Sequence, residues 1–278
     1  MSNTTTTTTA AGHQGLHWSS RWAFIMAATG SAVGLGNIWK FPYITGENGG
    51  GAFVLVYLAC IAVVGLPILI AEVMLGRKGR KSPIASMREL IRQHNANAGW
   101  VSIGTLGTIA AFLILSFYSV IGGWAINYVG YTISGDFVGQ TSDAVGGIFG
   151  AMLGDPATLL FWHSIFMACV LFIVARGVKG GLEKAVTYLM PALFVLMVVM
   201  VVYAMTTDGF AQGMNFLFNP DFSKLTEEGI LKALGHAFFT LSLGTGVMMA
   251  YGSYLDQKTS IAKTSITVGL MDTVVALV

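Results

Sequence analysis

The chain has 278 residues, of which 54% are hydrophobic and 10% are charged, whereas roughly a quarter of the residues in a soluble domain are charged. This composition excludes an ordinary water-soluble globular protein. The formal net charge of +2 gives no reason to expect a nucleic acid as a partner. Both cysteines lie in apolar runs, so neither a disulfide framework nor a four-thiolate zinc site is available.

The N-terminal 17 residues are rich in threonine and do not resemble a cleaved signal peptide. We expect residues 1–17 to form a disordered cytoplasmic tail and residues 18–278 to form one transmembrane domain. A helix needs about 20 apolar residues to cross a bilayer. Seven such windows follow the tail, near residues 21–44, 51–76, 98–132, 158–175, 185–205, 229–254 and 260–278. The last window runs to Val278 without an aromatic or basic anchor, so we interpret the chain as cut short.

The distribution of charge assigns the two sides of the membrane. The loops after the second, fourth and sixth windows are rich in Lys and Arg, whereas those after the third and fifth carry mostly Asp and Glu. Because basic loops face the cytoplasm, we predict a multi-pass protein of the cell membrane with a cytoplasmic N-terminus. An amphipathic piece at residues 82–94 is expected to lie at the membrane interface.

Two of the windows carry glycine-rich interruptions at comparable depths. The first contains GSAVGLGN at residues 30–37, and the sixth contains SLGTG at residues 242–246. Such stretches unwind easily, and a pair of them at matching positions of two halves indicates a transporter with a substrate site near the midplane. Close helix packing through small residues is the alternative for either stretch alone. The coincidence of the two stretches favours a binding site.

The residues around both interruptions resemble the neurotransmitter:sodium symporter family. The matching runs are GSAVGLGNIWKFP at residues 30–42, ENGGGAF at residues 47–53 and FFTLSLGTGVMMAYGSY at residues 238–254. The resemblance covers nearly the whole chain from about Trp18. Within the family, the chain resembles a bacterial sodium-dependent amino-acid transporter. The resemblance implies an all-α membrane protein with the leucine-transporter fold. This chain would contain the first five-helix repeat and the start of the inverted second repeat, with helices 1 and 6 broken and the carboxyl half missing.

The resemblance also implies a substrate site between the two interruptions. The carboxylate of an amino acid would bind the amides near Gly34 and Gly36 and the hydroxyl of Tyr118; unpaired amides and a half-helix dipole attract an anion. The ammonium would meet acceptors at the two breaks, namely Ala32, Phe239, Thr240 and Ser242. Phe239 would also close the pocket alongside Tyr118. Thr245, where the family often has a larger residue, would enlarge the cavity and favour a bulky hydrophobic substrate.

Sodium binding is implied as well, and sodium takes oxygen ligands, as other hard cations do. Besides the substrate carboxylate, which couples ion to substrate, the first site would contain Ala32, Asn37, Thr240 and Asp272. The second site would use the carbonyls of Gly30 and Val33 together with ligands from an eighth span, which lies outside this sequence. Asp272 replaces the usual asparagine and would supply a negative charge, so we expect that chloride is not required.

Two charged residues have supporting roles in this prediction. Lys40 stands where the family often has an outer-gate arginine, so the charge is kept and the bidentate fork is lost. Glu72 lies within the second window and would accept hydrogen bonds from unwound backbone. An interfacial position is the alternative for Glu72, because Arg77 follows only five residues later.

The predicted function is sodium-coupled symport of an amino acid or a related small amine into the cell. Its expected partners are the substrate, sodium ions and the lipid bilayer; a homodimer remains open, and nucleic acid is not expected. The five histidines form no HExxH pair, and nucleophile-elbow and phosphate-loop motifs do not occur, so an enzyme is not expected. Two alternatives stay open: a channel, because broken helices also line pores, and a truncated chain without transport activity of its own.

Overall fold

The computed structural model describes residues 18–278, so the tail expected at residues 1–17 lies outside the described residues. The described part is helical and contains no β-strand. Its α-helices are α1 Arg21–Ala32, α2 Phe41–Glu47, α3 Gly51–Cys60, α4 Leu66–Gly79, α5 Pro83–His94, α6 Val101–Ser134, α7 Ser142–Leu153, α8 Pro156–Val174, α9 Lys184–Ala204, α10 Phe210–Phe218, α11 Glu227–Thr240, α12 Val247–Gly252 and α13 Ile261–Leu277. Short π-helical turns precede α2, α4 and α9 at Gly36–Lys40, Ile61–Gly65 and Val178–Glu183.

Continuous helices account for the second to fifth predicted windows. Within residues 18–278, four helical stretches are long and apolar enough to cross a membrane: Gly51–Gly79, Ala98–Ser134, Pro156–Val174 and Val178–Ala204. The fifth window was predicted to begin at residue 185, but the helical stretch begins earlier because the π turn continues directly into α9. Many Leu, Val, Ile and Phe side chains on these helices are exposed, as is expected of surfaces that contact lipid rather than water.

The first window is divided close to its centre. α1 ends at Ala32, and Val33 has the extended backbone angles φ −70° and ψ 117°. Helical structure resumes with the π turn at Gly36–Lys40, which leads into α2. The chain therefore crosses this region as two helical pieces with unwound backbone between them.

The sixth window is divided in the same way. α11 ends at Thr240 and α12 begins at Val247. Between them Ser242, Gly244 and Gly246 have positive φ angles of 54°, 76° and 73°. Right-handed helix cannot continue through such angles, and glycine adopts them without the steric penalty that other residues meet. The seventh window forms α13, a continuous helix of 17 residues.

The buried core lies between the two divided windows and their neighbours. α1 packs against α9 and α13, α3 against α11, and α4 against α12 and α13, whereas α6 pairs with α8 and α5. Phe24, Phe41, Phe53 and Tyr57 are among the large side chains that are almost completely buried there. The two unwound segments consequently lie inside the bundle.

The α4–α12 contact depends on the absence of side chains at the crossing point. A Cβ atom on Gly76 would collide with the carbonyl group of Met249, and one on Gly252 would meet the backbone of Val73 at 2.5 Å. Backbone atoms cannot yield as a flexible side chain can. The two helices therefore approach each other as closely as their backbones allow.

The variant Gly76→Ala is expected to lose about 1–3 kcal/mol of unfolding free energy, because the added methyl group overpacks this crossing. The control is Gly130→Ala in α6, where an added Cβ meets nothing within 4 Å. Thermal unfolding of the purified chains in detergent measures the difference, at about 2–4 °C in Tm per kcal/mol. Equal melting temperatures for the two variants would contradict the proposed close contact.

Candidate functional site

A cavity of about 580 Å³ lies where the two unwound segments face each other. Nine residues of the predicted substrate and sodium sites line this cavity, namely Gly30, Ala32, Val33, Gly34, Gly36, Tyr118, Phe239, Ser242 and Thr245. The remaining wall includes Ala110, Ala111 and Ile114 of α6, which sequence reasoning did not identify because small apolar residues in an apolar helix carry no signal. The volume falls within the range of small-molecule pockets, roughly 300–1,000 Å³.

One end of the cavity presents hydrogen-bond donors. The Tyr118 hydroxyl group lies beside the backbone amides of Leu35 and Gly36. A Cβ atom on Gly34 would lie 2.9 Å from the hydroxyl oxygen, so only glycine allows this approach. The hydroxyl group and the amides can bind an anionic group such as a carboxylate.

A second cluster of polar groups surrounds Asp272 of α13. The Asn37 side-chain amide donates to Asp272 Oδ1 over 2.8 Å and to its backbone carbonyl over 3.2 Å. The Thr240 hydroxyl lies 3.0 Å from each carboxylate oxygen. Asp272 is 0% exposed, and Asn37 and Thr240 are each 1% exposed. Three of the four predicted ligands of the first sodium site are thus in direct contact.

Thr240 was predicted to take part in both substrate and sodium binding. Its side chain faces Asp272, and the residue does not line the cavity. The geometry therefore groups the Thr240 hydroxyl with the residues predicted to bind sodium. Ala32, the fourth predicted ligand, lines the cavity on the side of the first unwound segment.

One hydrogen bond links the second unwound segment to the end of α1, and another lies within the second segment. The Ser242 hydroxyl donates to the backbone carbonyl of Ser31 over 3.1 Å, and the Thr245 hydroxyl donates to the carbonyl of Ser242 over 2.7 Å. A hydroxyl that donates one hydrogen bond keeps its lone pairs as acceptors. Ser242 can therefore still accept a hydrogen bond from an ammonium group in the cavity.

Comparison with known proteins decides the family. The model of the Sodium:neurotransmitter symporter family matches residues 16–141 and 152–278. The chain belongs to this family. It is 41% identical over 262 residues to the sodium-dependent transporter YhdH of Bacillus subtilis, covering 94% of this chain and 57% of YhdH. A sodium-dependent transporter of Haemophilus influenzae is 36% identical over 266 residues, covering 94% of this chain and 58% of the relative.

A solved structure agrees with the sequence comparisons. The crystal structure of MhsT in complex with L-phenylalanine matches with a TM-score of 0.86 and 43% sequence identity, over 94% of this chain and 58% of MhsT. The predicted family and the all-α leucine-transporter-like fold are confirmed. The chain is therefore a membrane protein of a transporter family, and it spans a little over half the length of the relatives that it matches.

Glu72 supports the second unwound segment. Its carboxylate Oε1 accepts a hydrogen bond of 2.7 Å from the backbone amide of Gly244, and the residue is 8% exposed. An unpaired amide in a water-poor interior is unfavourable by several kcal/mol. The carboxylate thus stabilises backbone that the interrupted helix leaves without an internal partner.

Tyr118, Phe239 and Lys40 lie between this cavity and two smaller cavities. The ring centroids of Tyr118 and Phe239 are 6.4 Å apart, and the Lys40 ammonium is 5.2 Å from the centroid of Phe239. Lys40 and Phe239 line both neighbouring cavities, of about 340 and 490 Å³. The gate roles of Lys40 and Phe239 stay predictions.

Two buried residues close to the site, Tyr57 and His236, were absent from the predicted site. The hydroxyl of Tyr57, which is 0% exposed, faces Thr240 and Asp272. The buried ring of His236 packs against Tyr57 and Phe41, with centroid distances of 5.5 and 5.4 Å. Only the helical phase of α3 and α11 relative to each other could have indicated these positions, and a single sequence does not provide that phase.

We expect Thr240→Val to lose about 1.5–3 kcal/mol of unfolding free energy in sodium-free potassium buffer. The substitution keeps the shape of the side chain but removes a hydrogen-bond donor to the buried carboxylate of Asp272. Thr240→Ser keeps the hydroxyl and is expected to lose about 0.8 kcal/mol for one methyl group. Denaturant or thermal unfolding in detergent compares the two. If the serine variant is as unstable as the valine variant, the hydrogen bonds to Asp272 are not the stabilising contact.

Proposed function

We propose that the protein containing this chain is a symporter that uses an inward sodium gradient to import a neutral amino acid. The observation that carries the proposal is the buried carboxylate of Asp272 held by Asn37 and Thr240 beside a cavity of about 580 Å³. Membership of the Sodium:neurotransmitter symporter family and the sodium-dependent relatives support the same conclusion.

The Asp272 cluster has the chemistry of a site for a monovalent cation. It offers one carboxylate together with neutral amide and hydroxyl oxygens, and hard cations prefer oxygen ligands. Within residues 18–278 no basic side chain forms an ion pair with Asp272. A single positive charge would neutralise the carboxylate and offset the unfavourable burial of its charge. Sodium would bind to Asn37, Thr240 and Asp272, with the Ala32 carbonyl as a further ligand.

The cavity suits a bulky hydrophobic amino acid. MhsT, which is similar to this chain, was crystallised with L-phenylalanine. The small side chains of Ala110, Ala111 and Thr245 leave space in the wall of the cavity for an aromatic or large aliphatic side chain. The amino acid's carboxylate would bind at Tyr118 and the neighbouring amides, and its ammonium would lie near the hydroxyl of Ser242.

Coupling of ion and substrate would follow from the closeness of the two sites along the first unwound segment. Gly36 lines the cavity, whereas the next residue, Asn37, donates to Asp272. A substrate carboxylate at Gly36 therefore lies beside the cation, and each charge stabilises the other. By thermodynamic linkage, sodium then raises the affinity for substrate by the same factor as substrate raises the affinity for sodium. The second sodium site, with Gly30 and Val33, remains a prediction.

Sodium-dependent binding of radiolabelled L-phenylalanine to the purified protein that contains this chain tests this proposal. The variant Gly36→Leu is expected to weaken binding more than tenfold, because a Cβ atom there would already lie 3.2 Å from the Phe239 ring and a longer side chain would fill the substrate volume. Gly46→Leu is the matched control, since an added Cβ at Gly46 meets nothing within 4 Å. Unchanged affinity in Gly36→Leu, or binding that is equal in sodium and potassium, would refute the site.

Transport itself is tested with proteoliposomes that contain the protein. Accumulation of the amino acid that requires an inward sodium gradient would support symport. Flux that equilibrates the amino acid without responding to the gradient would instead favour a channel.

Charge compensation by Asp272 predicts that chloride is not needed. We expect sodium-dependent binding to be equal in chloride and gluconate, because the carboxylate already balances the charge of the ion. Asp272→Asn is expected either to abolish the sodium response or to make binding depend on chloride. The control Asp143→Asn alters an exposed carboxylate at the start of α7 and should behave like the wild type. Loss of wild-type binding in gluconate would overturn this prediction.

A further inference from the structure

Four exposed basic residues lie at the end of α4 and along α5, and we call them the α5 basic surface: Lys78, Lys81, Arg88 and Arg92. α5 contains a single acidic residue, Glu89. Its carboxylate accepts hydrogen bonds from Arg92 over 2.6 Å, from Gln93 over 2.9 Å and from Lys81 over 3.1 Å. These donors lower the pKa of Glu89 to about 2, so it stays ionised and neutralises only one of the four positive charges.

Among the described residues, no further ion pair balances the remaining charge of the surface. Within residues 18–278, Arg88 forms no ion pair. The Lys78 ammonium lies 2.8 Å from Nε2 of His94, which is not an acidic group. Lys78 and Arg88 therefore present positive charge to the surroundings.

α5 is held firmly across the ends of two membrane-spanning helices. The Ser86 hydroxyl donates to the carbonyl of Lys81 over 2.8 Å and accepts from its amide over 3.2 Å. A Cβ atom on Gly104 of α6 would lie 2.9 Å from the backbone of Pro83 and Ile84. Met87 and Leu90 are buried, so the apolar face of α5 packs on protein and is not available for insertion into lipid.

The neighbouring residues of α6 place this surface at the boundary between lipid and water. Trp100, directly before α6, is 56% exposed, and tryptophan is enriched at the level of the lipid headgroups. One and two turns further, Ile103 and Leu106 of α6 are also exposed. Because α5 packs against α6, the basic groups of α5 and the exposed apolar residues at the start of α6 lie on neighbouring helices. A charged headgroup with its acyl chains matches this combination.

We propose that the α5 basic surface binds anionic phospholipids of the leaflet on the side where α4 ends, the side expected to be cytoplasmic. The headgroup phosphate contacts Lys78 and Arg88, and the acyl chains lie along the exposed residues of α6. This inference does not depend on the proposed transport function, because none of these residues lines the substrate cavity.

Native mass spectrometry of the purified chain, titrated with phosphatidylglycerol or phosphatidylcholine, tests the proposal. Each basic group near an anionic surface contributes about fivefold to affinity, so the double variant Lys78→Gln/Arg88→Gln is expected to bind phosphatidylglycerol about 25-fold more weakly. Binding of phosphatidylcholine should be unchanged. The matched control Lys224→Gln/Lys232→Gln removes the same charge from two exposed residues on the opposite predicted side, each of which is already paired with an acidic side chain, and it should stay within twofold of the wild type.

Several results would overturn the proposal. These are equal losses in the two double variants, retention of phosphatidylglycerol by Lys78→Gln/Arg88→Gln, or displacement of the lipid by inorganic phosphate at millimolar concentration. The charge-conserving variant Lys78→Arg/Arg88→Lys separates charge from misfolding. It should bind as the wild type does, and a loss equal to that of the glutamine variant would also contradict an electrostatic site.

Discussion

The buried carboxylate of Asp272 is the group on which the rest of the site depends. It is completely withdrawn from solvent, and its charge is compatible with the interior because Asn37 and Thr240 donate hydrogen bonds to it. Asn37 lies in the π turn that leads into α2, and Thr240 is the last residue of α11. A single charge thereby fixes three elements relative to one another, and the same negative charge attracts a cation to the place where they meet.

The unwound segments are stabilised by side chains that replace helical hydrogen bonds. In a membrane interior, backbone groups without partners are strongly unfavourable, so a broken helix persists only where other groups satisfy them. Glu72 accepts from the amide of Gly244, the Ser242 hydroxyl donates to Ser31, and the side-chain oxygen of Asn37 accepts from the amide of Gly34 over 3.2 Å. Backbone groups left over from this exchange are those that can bind a substrate.

The sequence predicted the elements better than their mutual arrangement. Hydropathy located the second to fifth helical stretches. The runs at residues 30–37 and 242–246 located both interruptions, because glycine and polar residues inside an apolar window are a local signal. The start of the helical stretch at Val178 was missed, since Gly180 and Gly181 read as a loop although a π turn includes them. Tyr57 and His236 were absent from the predicted site for another reason: their contact with each other depends on how α3 packs against α11.

The cavity lies between two groups of helices, and this arrangement explains how binding of substrate can alter the conformation. Tyr118 belongs to α6, which packs mainly against α8 and α5, whereas Phe239 belongs to α11, which packs against α3. The two rings meet over the cavity with centroids 6.4 Å apart. A substrate that contacts both rings stabilises the arrangement in which the two groups of helices are close. The size of this stabilisation equals the difference between the substrate's binding free energies for the close and the separated arrangements. Sodium at the proposed Asp272 site would order the first unwound segment through Asn37, so ion and substrate would both favour the same arrangement of the two groups.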